Sequence, residues 1–182
     1  MTMKKFILIL TGILIVVNLS VFAKLEDRYI MKPAEKGQLY FIVPFNIPST
    51  AKKTKPVDVD ITYLTSNDSV IMNLSVWCSE QLLADSIVLH DDIVLPIYKF
   101  QTFFIELDGK MWHHRYSLRY PYDALKSLYN SKTPICISVY AKTNVLHYTY
   151  STNNWTEESG WMMRLLQMID VNKSLMENPI FQ

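Results

Sequence analysis

The sequence predicts a mostly β fold: an antiparallel β-sandwich, immunoglobulin-like or related, of about seven to nine strands, with a short helix near residues 122–130 and a C-terminal helix. Three observations lead there. Between residues 38 and 120 the chain breaks into short segments in which apolar and polar residues alternate with a period of two, as in strands that bury one face. Polar turn residues separate these segments at roughly the 8–12-residue spacing of all-β domains. Near the end the apolar spacing lengthens to three and four residues, which puts one stripe of a helix on a core. The alternative is an α+β arrangement, one sheet with both helices on one side.

Residues 1–23, MTMKKFILILTGILIVVNLSVFA, begin with two lysines, run apolar over residues 6–22 and end in Val21-Phe22-Ala23. A short basic segment, an apolar stretch and small residues three and one before a peptide bond are the layout of a secretory signal peptide. The expectation is a signal peptide over 1–23 and a single β-rich domain over 24–182, periplasmic or secreted and of bacterial type. The apolar run is longer than most signal segments, so a membrane anchor through residues 6–22 is the alternative.

Residues 24–37 read as a polar lead-in. Residues 38–45 (QLYFIVPF) are almost continuously apolar, and 57–64 alternate Val57, Val59, Ile61 and Tyr63 with Asp58, Asp60 and Thr62. Ser66-Asn67-Asp68 turns the chain into 69–78, where Val70, Met72, Leu74, Val76 and Cys78 share a face. Strands over 82–90, 93–107 and 110–120 follow, joined by turns at Asp91-Asp92 and Asp108-Gly109. Asp123 stands where it would cap a helix over 124–129. Strand signals return over 133–141 and 145–150. The last helix is expected at about 157–177, opening on Glu157-Glu158, with Trp161, Met162, Leu165, Leu166 and Ile169 on its apolar face. Pro179 lies beyond it.

The formal charge of +1 counts Lys4 and Lys5; without those two it is −1. A near-neutral chain whose one basic cluster is Lys52-Lys53-Thr54-Lys55 has no electrostatic footprint for nucleic acid. Two cysteines, Cys78 and Cys136, form a candidate disulfide in an oxidising compartment. Strand phase argues against it, because Cys78 falls on the apolar face while Cys136 alternates with Ser138 and Tyr140.

The most chemically varied stretch is LDGKMWHHRYSLRY, residues 107–120. With Asp108-Gly109 as a two-residue turn, Ile105 faces Trp112 and Phe103 faces His114. His114 then goes with Trp112 and Tyr116 to an aromatic face, and His113 goes with Arg115 to the polar one, so the two histidines cannot share a metal ion. His113 has Glu106 diagonally across the hairpin, the pairing a general base would use, but no nucleophile is tied to it by a motif. Asp58 with Asp60, and Asp91 with Asp92, supply too few oxygens for calcium and read as solvated edges and turns. His147 has no visible partner. Tyr148, Tyr150 and Trp155 flank a polar stretch, Ser151-Thr152-Asn153-Asn154, that reads as an exposed loop, so they are the candidate binding aromatics together with His113 and Arg115. Met162, Met163, Met168 and Met176 could form an adaptable docking face on the last helix, although core filling is the commoner use.

No catalytic residue, cofactor or metal site is predicted. The expected function is that of an exported, non-enzymatic domain binding a protein partner in the cell envelope or outside the cell, as an assembly component, an adhesion accessory, or a small inhibitor or immunity-type protein. A carbohydrate-binding module using exposed Tyr and Trp is the close alternative. A hydrolase using His113 and Glu106 is the more distant one.

Overall fold

The computed structural model describes residue 25 and residues 27–51, 54–90, 99–142 and 144–177, without the side chains of 90, 99 and 100. Nine strands and two helices run through them: β1 (Tyr29–Ala34), β2 (Gly37–Ile47), β3 (Val57–Leu64), β4 (Ser69–Cys78), β5 (Ala84–His90), β6 (Lys99–Asp108), β7 (Met111–Pro121), α1 (Tyr122–Asn130), β8 (Cys136–Ala141), β9 (Asn144–Thr149) and α2 (Thr152–Glu177). The predicted fold class is what forms: two sheets of antiparallel strands, a short helix and a C-terminal helix. The large sheet has the order β1-β2-β3-β4-β7-β6 and the small one β5-β8-β9. Beyond β2 the chain crosses between them, since Thr149 N–H donates to Pro48 O (3.0 Å) and Thr50 N–H to His147 O (2.9 Å).

Alternation decides which way each strand faces. Val57, Val59, Ile61 and Tyr63 on β3, Val70, Met72, Leu74 and Val76 on β4, and Tyr116, Leu118 and Tyr120 on β7 are all buried on the inner face of the large sheet. Each such side chain contributes on the order of 1.5–3 kcal/mol by leaving water. Two layers share that face. The small sheet adds Ile87, Leu89, Ile137, Val139 and Tyr148, and α1 and α2 add Leu125, Leu128, Trp155, Trp161, Met162, Leu165 and Ile169. Helix α2 is fixed from both sides. Asn172 Nδ2 donates to Tyr40 OH (3.0 Å), while Tyr122 OH donates to Asp170 Oδ1 (3.0 Å) and Lys126 Nζ to Asp170 Oδ2 (2.6 Å). The Phe45 and Trp161 rings meet edge to face at 6.2 Å.

Four elements depart from the expectation. β1 falls in the stretch whose composition suggests a polar lead-in; as an edge strand with Ile30 and Met31 exposed, it buries too little of either face to show a period of two. Its hairpin with β2 turns through Gly37 at φ +99°, where a Cβ would meet Thr65 Oγ1 at 2.4 Å. In the β6–β7 hairpin Asp108 pairs with Met111, so the turn residues are Gly109-Lys110 and not Asp108-Gly109. Glycine takes the first turn position because φ there is +62°, which other residues resist. The register slides by one residue on each strand, which keeps every face assignment near the turn and sets Glu106 directly opposite His113. A bulge between Thr102 and Phe104 then pairs Thr102 with Tyr116 and turns Phe103 to the outer face, the reverse of the expected phase for both. The predicted turn at Asp91-Asp92, the strand start at 93–98 and the signal segment lie outside the described residues.

The helix starts also move. α1 begins at Tyr122 straight after Pro121, with Asp68 O accepting the Tyr122 N–H (2.9 Å), so Asp123 sits in the first turn and is not the cap. α2 begins at Thr152, five residues before the expected start. Ser151 is its N-cap: the Ser151 hydroxyl accepts the Asn154 N–H (3.4 Å) and the Ser151 carbonyl the Trp155 N–H (2.9 Å). Tyr150 before the cap packs on Trp155 in the first turn, rings 6.0 Å apart, as a hydrophobic staple. The stretch expected as an exposed loop is thus the first helical turn. Ser151→Ala should lower stability by about 1 kcal/mol and Trp155→Ala by about 3–5 kcal/mol in urea denaturation. A Trp155→Ala loss below about 1 kcal/mol would contradict the ring's place in the core.

Candidate functional site

With its inner face given to the core, the large sheet turns a mixed polar and aromatic face outward. Its centre is occupied by Arg115. The guanidinium forms an ion pair with Asp60 and donates to Ser75 Oγ (2.6 Å), and Asn73 Nδ2 donates to the other Asp60 oxygen (2.7 Å). Both charged side chains are mostly buried. Two further hydrogen bonds hold this pair in place. Arg115, expected as a binding residue, is therefore committed within the sheet, and so is Asp60, expected as a solvated edge charge.

His113 lies next along β7. It stacks on Trp77 (centroids 3.8 Å apart, planes at 7°) and meets the Phe104 edge at 5.0 Å, while Lys55 Nζ sits 4.7 Å from the other side of the indole. Its Nδ1 is 3.5 Å from Glu106 Oε1, a loose contact to a largely exposed carboxylate. Its Nε2 is shielded and has no hydrogen-bond partner among the described residues. A general base needs the group it deprotonates within about 2.6–3.2 Å. None of the described hydroxyls or thiols bonds to His113, so the ring fills an aromatic stack and is not paired with a nucleophile.

Tyr148, Tyr150 and Trp155 are buried, which corrects their expected place on an exposed platform. Trp155 is held by stacking on Tyr129 (5.4 Å) and by donating from Nε1 to Ser131 O (3.0 Å). The early start of α2 brings Tyr150 and Trp155 under the helix, while Tyr148 faces inward on β9 opposite Ile137. Burial also raises the pKa of both tyrosines. Of the methionines, Met162 is in the core and Met168 accepts from Tyr29 OH (3.3 Å).

The cysteines are free, which corrects the candidate disulfide. Cys78 points into the core of the large sheet and donates to Glu80 O (3.0 Å); Cys136 points the opposite way from Ile137 and Val139 on the small sheet and lies beside Ser138. Two sulfurs on different layers and different faces cannot meet.

No motif in the sequence marks two further pairings: Cys78 with His114, on strands far apart in the chain, and Ser138 with His147, opposite each other across the β8–β9 hairpin. Cys78 Sγ lies 3.8 Å from His114 Nδ1. Leu82 N–H donates to His114 Nε2 (2.9 Å), so the proton of the neutral ring sits on Nδ1, which faces Val76 O at 3.4 Å. Burial lowers the His114 pKa and raises the Cys78 pKa, the reverse of what a thiolate–imidazolium pair requires. Ser138 Oγ lies 2.8 Å from His147 Nδ1, giving His147 the partner the sequence did not show. Ser138 is fully buried, so a substrate carbonyl cannot reach its oxygen. Among the described residues no group of three or more His, Cys, Asp and Glu could hold a metal ion, and no helix is long and apolar enough to cross a membrane.

The described residues also line several openings. One, of about 450 Å³, lies between the end of α1 and the start of α2 beside Ser131, Lys132, Thr156 and Ser159. A polar groove of about 580 Å³ runs between the β3–β4 turn, the start of α1 and the end of α2, with Asp68, Arg119, Asp123 and Lys173 on its walls. On the outer sheet face a depression of about 300 Å³ is lined by Thr62, Ile71, Asn73, Gln101, Phe103, Ser117 and Arg119. Arg119 borders both the polar groove and this depression. Compared with protein-family models, with curated proteins and with solved structures, the chain matches none.

His114 makes stability depend on pH. Its folded pKa lies below the ordinary histidine value of about 6.5, so as pH falls the unfolded chain takes up the proton first. Its contribution is complete above about pH 6.5 and is lost from there down through the folded pKa, with a slope of at most about 1.4 kcal/mol per pH unit. Urea unfolding of the protein and of His114→Gln between pH 7.5 and 5 should show a shallower fall in the variant; parallel curves would refute the assignment.

Proposed function

We propose that the protein is exported through its N-terminal segment and acts outside the cytoplasm as a non-enzymatic β domain that binds a protein partner on the outer face of its large sheet. One observation supports this above the rest. Next to the committed Arg115 cluster, that face exposes Phe103 (53%) and Phe104 (40%) beside Arg119, an exposed cation with no acidic partner among the described residues. Exposed aromatics on neighbouring residues with a free arginine are the composition of interface anchors, which bury large area at low entropy cost. The β-strand scaffold holds them in fixed positions, so little ordering free energy opposes docking.

The other readings gain less from the same face. A sugar platform needs an open aromatic plane, and Trp77 has His113 on one side and Lys55 on the other. A hydrolase needs a nucleophile, and none of the described ones combines access with an activated partner. Roles that fit a small exported β domain are those of an envelope assembly component, an adhesion accessory, or a small inhibitor or immunity-type protein.

Two measurements test the reading. Fractionation of cells producing the full chain should recover it outside the cytoplasm, and removal of residues 1–23 should keep it inside. Affinity capture from an envelope extract, quantified by mass spectrometry, should retain a defined protein. His113→Ala should leave capture within about twofold, while Phe103→Asp, at an exposed position, should weaken it by about tenfold or more. Retention of polysaccharide with no protein, or loss of all activity in His113→Ala, would overturn the reading.

A further inference from the structure

We propose that the outer-face depression around Arg119 and Phe103 receives an acidic side chain flanked by an apolar residue from the partner protein. The inference rests on the partner-binding reading and adds the chemistry of what is bound.

The two outward arginines of β7 differ in state. Arg115 and Arg119 point to the same side, four residues apart on one strand. Arg115 is saturated by Asp60 and Ser75 and mostly buried. Arg119 is exposed, and no carboxylate of the described residues forms an ion pair with it, although Asp68 and Asp123 line the groove on its far side. A guanidinium presents donors in a fixed fork that matches a carboxylate. Around it the depression supplies further polar contacts from Gln101, Ser117 and Thr62, and an apolar wall from Ile71 and Phe103. The bulge in β6 creates that wall, because a regular ladder would have kept Phe103 on the other side of the sheet.

Shape then selects the occupant. Small-molecule sites enclose most of their ligand, commonly in a cleft of 300–1,000 Å³. This depression is at the low end of that range and lies open on the face of a sheet, so it fits one protruding side chain of a larger body. Charge fixes which one: an aspartate or glutamate meets Arg119, and the apolar neighbour lies on Phe103.

The test uses an acetylated and amidated pentapeptide with glutamate between two phenylalanines, titrated into the full-length protein and followed by amide and arginine Nε–Hε chemical shifts. Shifts should centre on residues 101–104 and 117–119. Glutamine in place of the glutamate should weaken binding by roughly tenfold, as expected when one charge-assisted pair of about 1.5 kcal/mol is lost. Arg119→Gln should cause a similar loss with the glutamate peptide and no further loss with the glutamine peptide. Lys32→Gln, an equal charge change elsewhere on the outer face, should have no effect. Equal binding of the two peptides, no binding at millimolar concentration, or unchanged binding in Arg119→Gln would overturn the proposal. So would a preference for a peptide whose carboxylate is at its C-terminus. If envelope capture retains the same protein with Arg119→Gln as with the unaltered chain, the site fails while the partner-binding reading stands.

Discussion

Six antiparallel strands present one continuous apolar face, and neither the three-stranded sheet nor helix α2 covers it alone. The fold meets that constraint by dividing the face. The small sheet lies toward β4 and β7, where Leu82 bonds to His114 and Tyr116. Helix α2 reaches β2, where Asn172 donates to Tyr40, and α1 sits at the ends of β3, β4 and β7, where Tyr122 stacks on Tyr63 at 4.2 Å. The crossing of β2 into the small sheet ties the two covers together. Loss of either cover would expose the same row of β3 and β4 side chains, so the layers should unfold as one unit.

The same division separates inert chemistry from available chemistry. Reactive residue types placed inward, such as Cys78, His114 and Tyr148, are held neutral by desolvation and are shut off from substrate. Those placed outward are largely committed: Arg115 is paired with Asp60, and His113 is stacked on Trp77. Around the bulge in β6, the outer face keeps two exposed phenylalanines and an arginine that forms no ion pair among the described residues.

Much of this was legible in the sequence. Alternation in β3, β4 and β7 assigned His114 inward and His113 outward, and the register error at Gly109 did not disturb it, because sliding both strands by one residue preserves parity. The strand phases of Cys78 and Cys136 already argued against a bridge. What was missed has physical causes. β1 buries too little to leave a pattern, and the bulge at Phe103 breaks a pattern without a marker residue such as glycine. The start of α2 was marked, by Ser151 as cap and the Tyr150–Trp155 staple, but its polar first turn resembles a loop in composition.

By itself the sequence determined which residues share a face, since the period of two is a local property of extended chain. It also determined the class of the fold and the presence of a terminal helix. Only the tertiary structure decided which strands are neighbours, and with that which charges are spent. Arg115 and Arg119 are alike in sequence context; one meets Asp60 across two strands and the other meets no acid among the described residues. That difference depends on contacts between residues dozens of positions apart, which no local pattern encodes.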